Sequence, residues 1–357
     1  MFIMSSRPVL FPALLCAALL AGCSAAPGAP SGGGSAQRTL FAMDTLMNLQ
    51  ITGPQAQEAL EAAVGELGRL DRLLDRNEPE SDISRLNAHA GDGTFVTLDG
   101  STLELLELCR SCYETSGGAF DCTIAPVMDA WGFGGTGEDY HVPSQAELDV
   151  LLPLVDSAAL DVDAGMGSAR LTASGMAVDL GGIAKGYAAD RLLDLLEDYE
   201  VDSALLDLGT STIAALGERD GGGPWRIALR DPSDGERQLG VLALSGQALS
   251  TSGGYERQFE ENGVTYHHIL DPRTGYPAET GVLSVTVVGE SAAVADAWST
   301  ALFVLGPEEA EALWRGSDSF DYILCRADGQ VQVTEGLEDS FTFWGDEYGY
   351  TCEILRR

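Results

Sequence analysis

The spacing of apolar residues along the chain predicts a succession of helices and short strands. Residues 38–53 alternate between apolar and polar side chains, which predicts one strand ending at Gly53. Apolar positions three and four residues apart predict helices over 54–76, 101–115, 183–199 and, with Ser291 as N-cap, 291–306. Strands are predicted at 203–208, 211–217, 225–229, 239–246, 263–270 and 282–289, followed by a hairpin over 320–336 that turns at Asp328-Gly329.

This order of elements predicts the fold class. Helices mixed with runs of consecutive strands are typical of an α+β fold rather than of a doubly wound parallel sheet. The chain has 357 residues, 45% of them hydrophobic, which is enough to bury a large core. We find no internal repeat and no interior linker. The sequence therefore predicts a single large domain over residues 38–357, with helices packed on a mixed or antiparallel sheet.

The first residues have the layout of a secretory leader. In residues 1–22, Arg7 is followed by a mainly apolar run from Val9 to Leu20 that is short for a bilayer span. "LAGC", ending at Cys23, resembles a bacterial lipobox, which implies cleavage before Cys23 and lipidation of that residue. Residues 23–37 then form a flexible tether of small residues. The alternative is an ordinary leader with an incidental cysteine. We expect an extracytoplasmic protein, anchored to the bacterial membrane by lipid.

The net charge of the chain limits the kinds of ligand that the protein can bind. The formal net charge is −35, and the only charged residue of the leader is Arg7, so that the mature protein is still more acidic. Such a chain is not a non-specific binder of nucleic acid or of anionic lipid surfaces. An anionic ligand would need a metal ion or local cations in order to approach.

The cysteines indicate a structural role rather than a redox or metal-binding role. Five cysteines follow Cys23, so at most two disulfides can form and one thiol is left over. Cys109 and Cys112 form a C-x-x-C pair, but the pair lies in an apolar periodic stretch, and no second pair has zinc-site spacing. We therefore predict that these two cysteines are buried or bridged.

Two glycine-rich segments are candidates for ligand contact. In "SGGAFDC", two glycines before Ala119 allow close approach of the backbone, and Asp121 follows with a carboxylate. The alternative is a helix C-cap followed by a loop. In "VDLGGIAKG", glycines precede a helix whose first amides could bind an anion, and Lys185 is a rare cation. This second signal is weak alone, because it lacks the spacing of known phosphate-binding loops.

Two further segments carry polar groups that packing does not require. The loop "HHILDPRTGYP" combines His267 and His268 with Asp271, whereas a turn alone needs no histidine. Asp296 and Thr300 are four residues apart, on one face of an otherwise apolar helix. If buried, they would need a partner, and oxygen ligands of this kind suit Mg²⁺. The alternatives are histidines that pack at a strand end and a solvated aspartate.

In combination, these motifs resemble those of a known protein family. From residues 41 to 306, the chain is similar to the ApbE family of FAD:protein FMN transferases, in family order and at compatible spacing. The resemblance rests on "FAMDTLM", "DISRLN", "SGGAFDCTIAPVMDAWGFG", "VDLGGIAKGYAAD", "STSGGYERQF" and "HHILDPRTGYP…SVTVVGESAAVADAWSTALFVLG". It implies a flavin-binding domain related to the T-fold, outside the cytoplasm and often lipid-anchored.

The resemblance also implies roles for individual residues. FAD contacts would be Met43, Ala119, Phe120, Asp121, Asp179, Lys185 and Leu270. Mg²⁺ ligands would be the carbonyl of Gly182 and the side chains of Asp296 and Thr300. The general base would be His268, with His267 facing away because neighbouring strand residues point to opposite faces. Asp271 or Arg273 would orient the loop, and Asp271 and Asp179 are the other candidate bases.

Three positions depart from the family pattern. Asp44 replaces a glycine near the flavin, and Asn77 replaces a tyrosine that is expected to stack on it. "GTS" at 209–211 replaces a glycine-rich "GGN". These departures concern the flavin side of the site, and none of them affects the predicted metal ligands.

The implied reaction is the Mg²⁺-dependent transfer of FMN from FAD to a threonine or serine hydroxyl of an acceptor protein, with release of AMP. The acceptor would be a membrane redox subunit or a secreted flavoprotein. The alternatives are an Mg²⁺-dependent FAD pyrophosphatase, in which water replaces the protein hydroxyl, and a non-catalytic flavin-binding lipoprotein.

Overall fold

In the computed structural model, which describes residues 34–135, 139–209 and 211–357, the first predicted strand is a hairpin. Strands β1 (Gly34–Ala42) and β2 (Thr45–Gly53) pair antiparallel, with Ala42 opposite Thr45. Met43 and Asp44 have φ angles of 48° and 58°, the positive values that a two-residue hairpin turn favours. The prediction of one strand is wrong because "MDT" contains no glycine or asparagine to signal this turn.

The leader, the lipobox cysteine Cys23 and residues 23–33 of the predicted tether lie outside the described residues. Strand β1 begins at Gly34, four residues before the predicted start of the domain. No helix in the described part of the chain combines the length and apolar character that crossing a membrane requires.

The predicted long helices are confirmed with small shifts at their ends. Ser291 caps the helix that follows it, since its hydroxyl accepts a hydrogen bond from the amide of Val294 at 3.2 Å. In the described ranges the α-helices are α1 (Ala56–Leu74), α2 (Asp82–Ala88), α3 (Gly100–Thr115), α4 (Ala125–Ala130), α5 (Gln145–Leu151), α6 (Ala184–Leu196), α7 (Ala292–Leu305) and α8 (Pro307–Arg315).

The later strands that were predicted are present, some with shifted ends, and the strand before His268 ends at His267. The strands at 96–97, 160–163, 168–171, 248–253, 258–261, 341–343 and 351–355 were not predicted. The terminal hairpin turns at Asp328-Gly329, as predicted. The strands are β3 (Val96–Thr97), β4 (Leu160–Asp163), β5 (Ser168–Leu171), β6 (Ser203–Leu208), β7 (Thr212–Leu216), β8 (Trp225–Asp231), β9 (Asp234–Leu244), β10 (Ala248–Gly253), β11 (Gln258–Glu261), β12 (Val264–His267), β13 (Val282–Gly289), β14 (Phe320–Arg326), β15 (Gln330–Thr334), β16 (Phe341–Phe343) and β17 (Thr351–Leu355).

One large sheet organises the domain, and its helices lie on one face. This main sheet has the strand order β1-β2-β6-β7-β10-β13-β14-β15-β17, and all its pairs are antiparallel except β15 with β17. Successive residues of each strand point to opposite faces of the sheet. Ala214 and Leu324 pack into the core with α1, α3, α6 and α7, whereas their neighbours Ala215 and Ile323 pack against a smaller sheet, β16-β9-β8. The α+β prediction is confirmed.

Cys109 and Cys112 are buried as predicted, whereas Cys352 is exposed, and none of the described cysteines forms a disulfide. Cys109, Cys112 and Cys122 lie in the core, and burial raises the pKa of the Cys112 thiol to about 12. A separate aromatic cluster surrounds Trp131 and includes Phe133, Phe259 and Tyr266. This cluster supports the hairpin β11–β12, which leads into the histidine loop.

Candidate active site

A cavity of about 700 Å³ collects nearly all the predicted site residues. It opens where the β1–β2 turn, the loop before α4, the start of α6, the end of β10 and the histidine loop meet. A volume of this size is typical of a site for a small molecule or cofactor. The predicted residues that line it are Met43, Ala119, Phe120, Asp121, Asp179, Gly182, Lys185, His268, Leu270, Asp296 and Thr300.

Asp271 is the predicted site residue that does not line the cavity. Its carboxylate accepts two hydrogen bonds of 2.9 Å from the guanidinium of Arg273. Its carbonyl accepts the amide of Gly275 at 2.8 Å, and its amide donates to the carbonyl of Tyr276 at 2.8 Å. This geometry suits a residue that shapes the loop and does not suit a free base.

The segment around Asp121 forms one wall. Asp121 is buried, and its carboxylate accepts hydrogen bonds from the amide and hydroxyl of Thr123 and from the amide and hydroxyl of Ser157, at 2.6 to 3.1 Å. Gly117 and Gly118 have φ angles of 63° and 83°, which turn the chain from the end of α3 into this wall. Asp121 therefore holds the wall in place by contacts inside the protein.

A second wall depends on a partly buried arginine that the sequence did not single out. Arg76 donates two hydrogen bonds to Asp129, at 2.6 and 2.8 Å, and one to Asp179, at 3.2 Å. Burial opposes the charge on Arg76, but Asp129 and Asp179 outweigh it and raise the pKa of the guanidinium. The other oxygen of Asp179 accepts the amide of Gly181 at 2.8 Å. Arg76 thus orients the glycine-rich turn at Gly181 through its hydrogen bond to Asp179.

The predicted metal ligands converge where α6 and α7 cross. Asp296 is 5% exposed, and one of its oxygens accepts the amide of Gly186 at 3.0 Å. Helix α7 approaches so closely that a β-carbon on Gly186 would lie 2.3 Å from the carbonyl oxygen of Ala292. A β-carbon on Gly182 would lie 3.5 Å from the hydroxyl of Thr300. Glycine at position 186 lets the backbones of α6 and α7 meet, whereas Gly182 lies against the side chains of Phe120 and Thr300.

These groups fit a hard cation such as Mg²⁺. The donors are a carboxylate, a hydroxyl and a carbonyl, all of them oxygens. Asp296 takes part in none of the ion pairs among the described residues, so no cation of these ranges pairs with this buried carboxylate. Within the same ranges no three His, Cys, Asp or Glu side chains cluster as a metal site. The remaining ligands would therefore come from the substrate or from water, as is usual for Mg²⁺.

The two histidines face different surroundings, as the alternation predicts. His268 lines the cavity beside Lys185 and Arg257. His267 contacts the edge of Phe303, with ring centroids 5.3 Å apart, and lies near the carbonyl of Ala278 at 3.3 Å. His267 is therefore a packing residue on the far side of the strand end.

The tautomer of His268 is set by its backbone contact. The Nδ1 atom lies 3.2 Å from the carbonyl oxygen of Arg257, so this nitrogen must carry the proton and donate. In the neutral ring, Nε2 then has a free lone pair. Burial, followed by the charge of Arg257, lowers the pKa of His268 to about 3, so the ring is neutral at pH 7.

Several cavity residues were missed because no local pattern marks them. Arg257 and Glu256 line the cavity, while Ser252 lies 3.2 Å from the Thr300 hydroxyl. All three belong to "STSGGYERQF", which the sequence comparison recognised without assigning roles. Arg76 belongs to no recognised motif, and its partners Asp129 and Asp179 are 53 and 103 residues away in the sequence.

The three departures from the family pattern lie in different places. Asp44 lines the cavity and tolerates the positive φ that a glycine would adopt freely. Asn77 is exposed and lies outside the cavity wall. Ser211 lines the cavity, whereas Thr210 lies outside the described residues.

Comparison with known proteins gives a consistent result. The model of the ApbE family matches residues 43–324. A protein of Klebsiella pneumoniae (strain 342) named FAD:protein FMN transferase is 37% identical over 268 residues, which are 74% of this chain and 82% of the relative. One of the same name from Treponema pallidum (strain Nichols) is 34% identical over 335 residues, 87% of this chain and 91% of the relative.

Solved structures agree with this result. The ApbE protein of Thermotoga maritima superposes with a TM-score of 0.79 at 30% identity, covering 86% of this chain and 99% of that protein. The flavinyl transferase ApbE of Pseudomonas stutzeri, in its apo form, superposes with a TM-score of 0.76 at 31% identity, covering 87% and 97%.

Proposed function

The chain belongs to the ApbE family, and we propose that it is an FAD:protein FMN transferase that moves the FMN half of FAD onto a threonine or serine hydroxyl of an acceptor protein. One observation carries the proposal. Asp296, a buried carboxylate that forms no ion pair in the described part of the chain, lines the same cavity as a neutral imidazole, His268. A cation and a base are what phosphoryl transfer to a hydroxyl requires.

Binding of the dinucleotide rests on the cations and the backbone of the cavity. Lys185 and Arg257 line it in a chain of net charge −35, so they make it less repulsive to a pyrophosphate. Gly182, Asp296 and Thr300 would hold Mg²⁺. When bound, Mg²⁺ would neutralise charge on the phosphate oxygens and stabilise the AMP leaving group.

The protein supplies proton transfer and orientation. The Nε2 atom of His268 accepts the proton of the acceptor hydroxyl as its oxygen attacks the phosphorus on the FMN side. The bond from that phosphorus to the oxygen shared with AMP breaks, and AMP leaves. The product is FMN joined to the acceptor by a phosphodiester. Arg76 and Asp179 keep the glycine-rich turn in place throughout.

Anchoring is part of the same proposal. The lipobox at "LAGC" supports lipidation of Cys23 and attachment to the outer side of a bacterial membrane. There the enzyme would meet membrane redox subunits or secreted flavoproteins as acceptors.

A product assay tests the function. The enzyme is incubated with FAD, Mg²⁺ and an acceptor domain that carries one threonine, and AMP, free FMN and protein-bound FMN are measured. The proposal expects AMP and protein-bound FMN in equal amounts. AMP together with free FMN alone would make the protein a pyrophosphatase, and FAD binding without AMP would make it a flavin carrier.

A further inference from the structure

A second cavity adjoins the cavity that contains His268 and Asp296. The proposed function gives this second cavity no role. This space of about 410 Å³ is the hairpin cleft, bounded by residues 227–230 of β8 and 235–239 of β9 on one side. The other side is the main sheet, including Thr251, Thr286 and Ile323. The cleft therefore lies between the small sheet and the face of the main sheet that carries no helices.

The two cavities share a boundary. Ser211, Thr251 and Glu256 line both of them. On β10, Ser250 and Ser252 point towards α7, where they contact Asp296 and Thr300, whereas Thr251 between them contacts Thr286 at 2.8 Å. Residues of a strand are about 3.3 Å apart. A molecule in the hairpin cleft would thus lie within a few residues of the proposed metal ligands.

The cleft presents an unpaired strand to whatever enters it. In the described part of the chain, β8 ends the order β16-β9-β8, and no strand pairs with its outer edge. Four consecutive residues, 227–230, line the cleft, although burial alternates along them. The cleft thus meets the backbone of β8 as well as its side chains, and a free edge can accept an added strand.

The charges of the cleft do not suit a second phosphate group. Arg230 lies over the ring of Tyr255 at 5.1 Å and within 3.9 Å of Glu256. Arg237 pairs with Asp234 at 3.0 Å. Both cations are already balanced, and the rest of the lining combines hydroxyls and aliphatic side chains with Glu236 and Gln238. This mixture suits a polypeptide with small or uncharged side chains better than it suits a dinucleotide.

We propose that the hairpin cleft binds an extended segment of the acceptor protein, which pairs with the edge of β8 and delivers its hydroxyl past Thr251 into the FAD cavity. This inference rests on the proposed transferase function. It names the site where the enzyme holds its protein substrate, separate from the site of FAD.

The test compares two tryptophan substitutions on one face of β8. Ala228 is exposed and lines the cleft, whereas Arg226 is exposed on the same face and does not line it. FMN transfer is measured against the concentration of an acceptor domain carrying one threonine, and FAD affinity is measured separately. Ala228→Trp is expected to raise the KM for the acceptor at least roughly tenfold, as loss of an interface hot spot does. Arg226→Trp is expected to stay within about twofold.

The outcomes separate the two proposals. If the wild type transfers no FMN, the proposed function fails. If the wild type transfers FMN and Ala228→Trp has an unchanged KM, the hairpin cleft is not the acceptor site. Weaker FAD binding by Ala228→Trp with an unchanged acceptor KM would assign the cleft to the dinucleotide and overturn the inference.

A second measurement does not depend on the folding of a variant. Synthetic acceptor peptides are N-methylated on one or the other set of alternate residues, because a strand at an edge uses only one set for pairing. One methylated set should lose transfer by the wild-type enzyme, and the other should keep it. Equal transfer to both peptides would rule out pairing with β8.

Discussion

The hydroxyl of Ser250 donates a hydrogen bond of 2.6 Å to a carboxylate oxygen of Asp296, so a strand of the main sheet orients the proposed metal ligand. The second oxygen is held by the amide of Gly186 at the start of α6. Three elements therefore determine where this carboxylate points. Outer partners of this kind usually contribute substantially to metal affinity.

Substitutions of Asp296 and Ser250 should distinguish the proposed metal ligand from the residue that orients it. Ser250→Ala is expected to weaken Mg²⁺ activation roughly tenfold to a hundredfold, the range seen for outer partners of metal ligands. Asp296→Ala should abolish Mg²⁺-dependent turnover while the protein stays folded. The measurement is AMP release against Mg²⁺ concentration, with thermal unfolding as the check on folding. The control is Ser203→Ala, a buried serine of β6 that lines neither cavity. Turnover that survives EDTA would refute the metal assignment.

Arg76 should matter for both stability and FAD binding. Arg76→Ala removes charged hydrogen bonds to Asp129 and Asp179, and we expect a loss of about 1.5–3 kcal/mol in the free energy of unfolding. The KM for FAD should rise, because the glycine-rich turn loses its support. Urea unfolding and FAD titration measure the two effects.

The matched control is Arg315→Ala, which breaks an ion pair with Glu311 on the surface of α8. An exposed pair of this kind contributes about 0–1 kcal/mol, so this variant should resemble the wild type. If both variants behave alike, Arg76 has no special role at the site.

The pH dependence follows from the neutral state of His268. Its pKa is lowered to about 3, mainly by burial, whereas the unfolded chain titrates near the ordinary value of about 6.5. The neutral ring therefore contributes stability that is complete above about pH 6.5 and is lost as the pH falls towards 3. With His268 as the base, the rate of FMN transfer should therefore fall only at a pH well below the ordinary pKa of histidine.

An NMR titration of the FAD-free protein measures this directly. The ring protons of His268, assigned with His268→Gln, should not shift between pH 7 and pH 5. A midpoint near the ordinary histidine value would show that the ring is solvated and not buried in the cavity wall.

The proposed lipid anchor predicts a difference between Cys23 and Cys16, which lies inside the leader. Cys23→Ser should move the protein from the membrane fraction to the soluble fraction and leave FAD chemistry intact. Cys16→Ser, seven residues upstream, should leave partitioning unchanged. Membrane attachment of the Cys23→Ser protein would contradict the lipobox interpretation.

The sequence predicted the parts of this molecule that depend on local pattern. Helix α7 was predicted with its cap at Ser291, and the opposite orientations of His267 and His268 follow from alternation at a strand end. The turn at Met43-Asp44 was missed because a positive φ angle is uncommon for methionine. Arg76 and Ser250 were missed because their contacts join segments 103 and 46 residues apart. No local periodicity encodes such contacts.

The central claim is that His268 is the base and that His267 is not, and single-turnover AMP release tests it most directly. FAD, Mg²⁺ and a threonine-containing acceptor are mixed with excess enzyme, for the wild type, His268→Ala and His267→Ala. We predict that His268→Ala lowers the rate at least roughly a hundredfold while FAD still binds, since general bases contribute about 10²–10⁴-fold. His267→Ala should stay within about tenfold of the wild type, because it removes a packing group. Equal losses in the two variants, or a larger loss for His267→Ala, would contradict this assignment, and two near-normal rates would show that neither histidine is the base.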